Sequence, residues 1–213
     1  MYYMDFLFFI PILFFSIILH EFAHGYVAYR LGDQTAYYAG RLTLNPLHHI
    51  DPVGSIGVPL FCLLMHLPMF GWAKPVPVNP LRLPSPRKDM GKVALAGPVT
   101  NLLLAVLFTV LLKIVILTAN TLPSQTLQRI GVFLQYGIMV NVMLAVFNLL
   151  PIPPLDGGRI VTALLPVKTA VVFDHFFARY GMWIILLLIL TNAVRYLILW
   201  PASLVLTLIS QIL

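Results

Sequence analysis

Four long apolar stretches constrain this chain more than any other feature. They cover residues 6–29, 93–117, 130–150 and 183–199. A helix of about 20 apolar residues crosses the hydrocarbon core of a bilayer. Only 9% of the residues are charged, against about 25% in ordinary soluble domains, which excludes a water-soluble globule. We therefore predict an all-α polytopic membrane protein with about four to six transmembrane helices.

Two shorter apolar stretches, residues 58–70 and 201–213, are about 13 residues long and too short to span comfortably. The first has prolines near both ends, which favours a re-entrant segment. If it re-enters, ten basic residues lie on one side of the membrane and one on the other, whereas a crossing gives eight and three. The positive-inside rule favours re-entry and places the basic side in the cytoplasm. The second stretch is expected at the interface or in a bent last helix.

Other features narrow the class further. Residues 37–44 alternate loosely between apolar and polar, which predicts a short β-like stretch near the first helix. Cys62 is the single cysteine, so no internal disulfide or paired-thiol zinc site forms. The basic residues are scattered, with Arg87-Lys88 as the one adjacent pair, so nucleic acid is not an expected partner.

The segment with the clearest chemistry lies inside the first apolar stretch and reads His20-Glu21-Phe22-Ala23-His24. Two histidines four residues apart share one face of a helix and can bind a single zinc ion. Zinc lowers the pKa of a water molecule towards about 7, and Glu21 can take its proton as general base. The alternative is that both histidines bond to neighbouring helices, with Glu21 as a counter-ion.

A catalytic zinc usually has three protein ligands and an open position, so a third ligand is expected elsewhere. Asp156 is the best candidate, because three prolines break the third apolar stretch just before it. Backbone groups freed at membrane depth must line a cavity or find partners. Asp156 could instead cap a helix that starts at Gly157, and the two roles could coexist.

These segments resemble the site-2 protease family of intramembrane zinc metalloproteases. The likeness covers roughly residues 15 to 200 and includes two further segments typical of its compact bacterial subgroup. The segments that carry it are His20-Glu21-x-x-His24, Ala96-Gly97-Pro98-x-x-Asn101, Asn148-x-x-Pro151-x-Pro153-x-Leu155-Asp156-Gly157, residues 45–54 and residues 71–79.

The resemblance implies that His20, His24 and Asp156 bind one Zn²⁺ and that Glu21 is the general base. It also implies that Asn148 stabilises the tetrahedral intermediate or holds the substrate. Residues 1–213 are expected to form a single intramembrane metalloprotease core without an inserted PDZ or nucleotide-sensing CBS domain. The expected location is a prokaryotic plasma membrane.

The leading hypothesis is an intramembrane zinc endopeptidase that cuts a transmembrane protein or peptide within the lipid bilayer. As a helix, the first stretch places His20 about 13 Å from Tyr29, inside the bilayer but nearer the basic, cytoplasmic side. The alternatives are an inactive zinc-binding membrane protein or metal carrier, and a transporter, which would show two matching broken helices. His48 and His49 are left outside the metal site, as hydrogen-bonding residues of a turn.

Overall fold

The computed structural model describes residues 2–65, 73–118 and 123–213, and this part of the chain is helical apart from its turns and connections. Two 3-10 turns and one π-helical turn, at Pro46–His48, Pro80–Arg82 and Pro52–Gly57, lie between the α-helices. The α-helices are α1 (Tyr2–Arg30), α2 (Thr35–Tyr38), α3 (Val58–Leu64), α4 (Pro86–Leu117), α5 (Ser124–Asn148), α6 (Asp156–Leu164), α7 (Val167–Leu190) and α8 (Ala193–Ser210).

Within the described ranges, four helices are long and apolar enough to cross a membrane: Phe8–Arg30 within α1, then α4, α5 and α7. This agrees with the predicted all-α polytopic membrane protein. Large apolar side chains such as Leu103, Leu187 and Trp200 are exposed on the helices. A bilayer accounts for such surface, because lipid tails solvate apolar side chains as well as a protein core does.

The predicted β-like stretch at residues 37–44 is wrong. The structure has no strand in the described ranges, and Thr35–Tyr38 forms the short helix α2 instead. The Asp33 carboxylate accepts hydrogen bonds from the backbone N–H and the hydroxyl of Thr35, which starts a helical turn. Gly40 then adopts a φ of +63°, so the chain turns where a strand would continue.

The fourth predicted span, residues 183–199, is also placed wrongly. Asn192 adopts a left-handed conformation with φ 56° and separates α7 from α8. The fourth membrane-length helix is therefore α7, Val167–Leu190, while α8 is shorter and contains Pro201. Of the predicted re-entrant stretch, residues 58–65 form α3 and a turn, and residues 66–70 lie outside the described residues.

Helix α4 packs against α1, α5 and α6, so it lies at the centre of the bundle. Small residues permit these contacts. A Cβ at Gly137 of α5 would lie 2.6 Å from the Phe108 ring of α4, and a Cβ at Gly91 would lie 2.5 Å from Ala163 of α6. Close approach at small residues is how helices associate in membranes, where no hydrophobic effect drives them together.

Candidate metal centre

Three side chains from two distant parts of the chain meet beside α4. His20 and His24 lie one turn apart on α1 and are 6% and 9% exposed. Their Nε2 atoms lie 3.1 Å and 3.2 Å from Oδ2 of Asp156, the first residue of α6. The structure thus brings together the three residues that the sequence indicated as metal ligands.

Gly157 and Gly158, which follow Asp156, allow the start of α6 to pack closely on the residues at and after the end of α5. A Cβ at Gly157 would collide with the carbonyl oxygens of Leu149 and Leu150, and a Cβ at Gly158 would lie 2.4 Å from Cδ and N of Pro153. The start of α6 therefore packs directly on the chain that follows α5. Helix α6 begins at Asp156 itself, with Leu155 in the cap position, so Asp156 is not the residue that precedes and caps a helix.

The hydrogen bond of His24 Nδ1 determines which ring nitrogen of His24 faces Asp156. His24 Nδ1 lies 2.7 Å from the carbonyl oxygen of Val93 on α4. A carbonyl only accepts hydrogen bonds, so in the neutral ring Nδ1 carries the proton and donates it. The Nε2 lone pair then points towards Asp156, as it does in metal-binding histidines whose other nitrogen donates to a protein oxygen.

Gly97 of α4 forms the wall behind both imidazoles. A Cβ at this position would lie 2.5 Å from Cε1 and Nε2 of His20 and 2.6 Å from Cε1 of His24. Any side chain larger than hydrogen would displace both rings. The two histidines can face Asp156 because residue 97 is a glycine.

Glu21 lies on the other side of the centre and is partly exposed. Its Oε2 accepts a hydrogen bond of 2.9 Å from the backbone N–H of Val76. Val76 belongs to an extended segment, residues 73–79, which we call the strap. Prolines have no backbone N–H, so between Pro75 and Pro77 the Val76 N–H is the one available donor.

Two buried charged residues hold the strap. The Arg41 guanidinium donates to the carbonyl of Lys74 at 2.6 Å and to the carbonyl of His48. Asp33 Oδ2 accepts from the backbone N–H of Asn79 at 2.6 Å. Burial acts to raise the pKa of Asp33, but hydrogen bonds from Thr35 and Asn79 outweigh it and hold the pKa below its usual value.

The donor set fits a cation. Oδ2 of Asp156 is buried without a hydrogen-bond partner, although two ring nitrogens lie close to it. With both rings neutral and protonated at Nδ1, three lone pairs face one another, an arrangement that costs free energy unless a positive charge lies among them. Ligand atoms of His20, Glu21 and His24 also lie within 4.8 Å of one another. Imidazole nitrogens with a carboxylate are a donor set that suits zinc.

A cavity of about 160 Å³ opens at the centre. Asn148 lines it, and the Nδ2 of this residue donates to the carbonyl of Leu144 at 3.0 Å. His49 is fully buried away from the cavity, with Nε2 2.8 Å from the carbonyl oxygen of Thr43. The cavity is lined by His20, Glu21, His24, Pro75, Val76, Val78, Val93, Asn148, Pro154, Leu155, Asp156 and Arg159.

Sequence reasoning missed three contributors to the centre. The Val93 carbonyl carries no side-chain signal and could not have been found. Gly97 belongs to the segment Ala96-Gly97-Pro98-x-x-Asn101, but the sequence did not indicate a role for it. A glycine followed by a proline is unusual inside a helix, and this pair is a signal that could have been used. Arg41 could have been noticed as a basic residue between two turn-rich segments, but its carbonyl partners are distant in sequence.

The fold and the site define a helical protein with membrane-length helices and a candidate metal site, formed by a buried His-His-Asp cluster beside a glutamate. The sequence model of Peptidase family M50 matches residues 66–191, which is more than half of the chain. The chain belongs to this family, the site-2 protease family.

Several relatives carry names that begin "Putative zinc metalloprotease", two of which are YwhC and Rip2. YwhC of Bacillus subtilis is 40% identical over 186 residues, which cover 87% of this chain and 81% of the relative. Rip2 of Mycolicibacterium smegmatis is 34% identical over 182 residues, 84% of this chain and 65% of the relative. The zinc metalloprotease MJ0392 of Methanocaldococcus jannaschii is 24% identical over 158 residues, 74% of this chain and 34% of the relative. No solved structure matches the chain at a significant level.

Proposed function

We propose that this protein is an intramembrane zinc endopeptidase that hydrolyses peptide bonds within or near transmembrane segments of other membrane proteins. The observation that carries the proposal is the meeting of two imidazole Nε2 atoms and a carboxylate oxygen without a hydrogen-bond partner, beside Glu21. His20, His24 and Asp156 would hold one zinc ion. Membership of Peptidase family M50 and the names of the relatives support the same chemistry.

Each group at the site has a separate role in the proposed hydrolysis. When bound, zinc acts as a Lewis acid that lowers the pKa of water and polarises the scissile carbonyl. Glu21 accepts the proton of the attacking water and delivers it to the amine that leaves. The Val76 N–H holds the Glu21 carboxylate in place for this transfer, and Asn148 provides an amide donor at the cavity edge for the oxyanion.

The substrate must reach the cavity in extended form, because a helix shields its own peptide bonds. Proline and aliphatic side chains line much of the cavity, including Pro75, Val78 and Leu155, which suits the apolar residues of a transmembrane segment. The four membrane-length helices of the described residues support a multi-pass location of this site in the lipid bilayer. The distribution of basic residues supports cleavage towards the cytoplasmic side of a prokaryotic plasma membrane.

Elemental analysis of detergent-purified protein tests the metal assignment. We expect about one zinc per chain in the wild type and clearly less in Asp156→Ala, since a three-ligand site loses one ligand. Asp174→Ala is the matched control, because Asp174 is an exposed carboxylate that accepts a bond from Thr162 outside the centre. Equal zinc in both variants would remove Asp156 from the ligand set.

A second experiment, which measures zinc binding and peptide cleavage by Glu21→Gln, distinguishes an enzyme from an inactive zinc-binding protein or a carrier. Glu21→Gln should retain zinc but cleave single-span reporter peptides at least about 100-fold more slowly, the usual loss when a general base is removed. Cleavage at the wild-type rate by Glu21→Gln would contradict the assigned role of Glu21. Zinc binding without cleavage of any reporter by the wild type would favour the inactive alternative.

A further inference from the structure

His20 has a polar contact on the side that faces away from the centre. Its Nδ1 lies 2.6 Å from Oδ1 of Asn101 on α4. Asn101 Nδ2 in turn donates to Oδ1 of Asn141 on α5 at 2.9 Å. Asn141 Nδ2 donates to the hydroxyl of Ser16 on α1 at 2.9 Å. We call Asn101 and Asn141 the asparagine relay, which joins three helices behind one candidate ligand.

The backbone carbonyl of Gly137 determines how the side-chain amides of Asn141 and Asn101 are oriented. Asn141 Nδ2 also donates to the carbonyl of Gly137 at 2.9 Å, and a carbonyl only accepts. The amide nitrogen of Asn141 must therefore face Gly137, and its oxygen must face Asn101. Asn101 then presents its own oxygen to His20, so the proton of a neutral His20 ring lies on Nδ1.

The burial of the relay makes this arrangement costly to alter. Asn101 and Asn141 are 0% exposed and Ser16 is 1% exposed. A buried amide without a hydrogen-bond partner is costly in proteins, so the alternative flip of either side chain is strongly disfavoured. Neither asparagine lines the cavity, and neither has a position from which it could touch a substrate.

A comparison with His24 shows what the relay adds. His24 obtains its acceptor directly from the Val93 carbonyl of α4. His20 lies one turn earlier on α1 and has no backbone acceptor at Nδ1, so side chains supply one. Acceptors of this kind orient metal-binding histidines, and their removal costs about 10–100-fold in metal affinity.

We propose that Asn101 and Asn141 are positioning residues that hold His20 as the Nδ1-protonated tautomer, with Nε2 directed at the zinc. The inference rests on the proposed zinc site. Asn101 acts on the ring directly, and Asn141 acts through Asn101 by fixing which of its amide atoms faces the ring. The relay thereby supplies zinc affinity and ligand geometry without contact with zinc or substrate.

The test compares zinc dissociation constants of purified full-length variants, measured by competition with a chelator. Asn101→Leu should bind zinc about 10–100-fold more weakly, and Asn141→Leu about tenfold more weakly. Thr109→Val is the matched control. Thr109 is fully buried on the same helix, and its hydroxyl bonds only to the Ala105 carbonyl of its own helix. This control should bind zinc as the wild type does.

Two further readouts distinguish positioning from a general loss of packing. Asn101→Asp keeps an acceptor for the His20 Nδ1–H but lacks the donor to Asn141 Oδ1, so it should recover part of the affinity lost in Asn101→Leu. The visible absorption spectrum of the Co²⁺-substituted protein should change in Asn101→Leu but not in Thr109→Val, since it reports ligand geometry. The unfolding temperature of the zinc-free protein shows whether each variant folds.

The outcomes separate this inference from the proposed function. Wild-type protein that binds no zinc would overturn both. A wild type that binds zinc, with Asn101→Leu as tight as Thr109→Val, would overturn the relay alone. If Asn101→Leu does not fold, the same criterion applies to Asn141→Leu, which leaves the contact between His20 and Asn101 in place.

Discussion

The two sides of the candidate centre are built differently. On the ligand side, His20, His24 and Asp156 are less than 10% exposed, and both histidines bond to acceptors on α4. On the base side, Glu21 is partly exposed and bonds to an extended strap. The ligands need a fixed orientation, whereas the base must move a proton between water and substrate. Both histidines and Glu21 lie on α1, but contacts with α4 fix the histidine rings, whereas a backbone N–H of a connecting segment fixes the Glu21 carboxylate.

The largest effect is expected from Gly97→Ala, which breaks the ligand side. The new Cβ would lie 2.5 Å from the His20 ring, and the central helix α4 cannot withdraw without disturbing α1, α5 and α6. Zinc affinity should fall by at least about 100-fold and cleavage should fall with it. Chelator competition measures the first quantity. Gly131→Ala is the control, because a Cβ there meets nothing within 4 Å.

An intermediate effect is expected from Gly25→Ala, which acts on the base side. Its Cβ would lie 2.7 Å from Cγ1 of Val76 and 2.8 Å from Cδ2 of Leu42, so the strap must move outwards from α1. Cleavage should fall by about tenfold to 100-fold, because displacement of a catalytic group by about 1 Å has costs of this size. Zinc content should stay at the wild-type level.

The double variant Gly25→Ala with Val76→Ala sharpens this prediction. It removes the Cγ1 atom that the new methyl group meets and keeps the Val76 N–H, so part of the lost cleavage should return. Loss of zinc in the single variant would show that the two sides are not separable in the way the structure indicates.

The smallest effect is expected from Asp33→Asn, which weakens the strap anchor at Asn79. The pKa of Asp33 lies below its usual 3.8 in the folded chain. Its carboxylate therefore contributes stability fully above about pH 4, and this contribution is lost as the pH falls through the lowered pKa. At pH 7 the zinc-free variant should unfold about 2–4 °C below the wild type, which corresponds to about 1 kcal/mol.

That difference in unfolding temperature should shrink as the pH falls below about 4 and through the lowered pKa of Asp33, because the wild-type carboxylate then becomes protonated. Thermal unfolding of both proteins across this range measures it. If the two unfolding temperatures differ as much at pH 3 as at pH 7, the loss of stability in Asp33→Asn does not come from the negative charge of the Asp33 carboxylate.

Much of the fold could be predicted because membrane spans depend on local composition. Three of the four long helices fall where apolar stretches predicted them. The fourth did not, because the left-handed backbone conformation of Asn192 separates two helices within a mostly apolar stretch. The β-like stretch failed for a similar reason, since the side chain of Asp33 starts a helical turn that outweighs a weak alternation.

The candidate site could be predicted where one segment of sequence contains the chemistry. His20, Glu21 and His24 lie within five residues, so helical periodicity alone places them together. Asp156 could be indicated because three prolines precede it. The supporting groups could not be foreseen, since the Val93 carbonyl and the Val76 N–H belong to the backbone and their partners lie on other elements.

The division of the ligands between α1 and α6 has a consequence for biosynthesis. His20 and His24 leave the ribosome early, whereas Asp156 follows only after α4 and α5 have been made. A nascent chain that has inserted its first helices carries both imidazoles but no complete ligand set. The order of synthesis thus delays assembly of the centre until the helices that surround it are available.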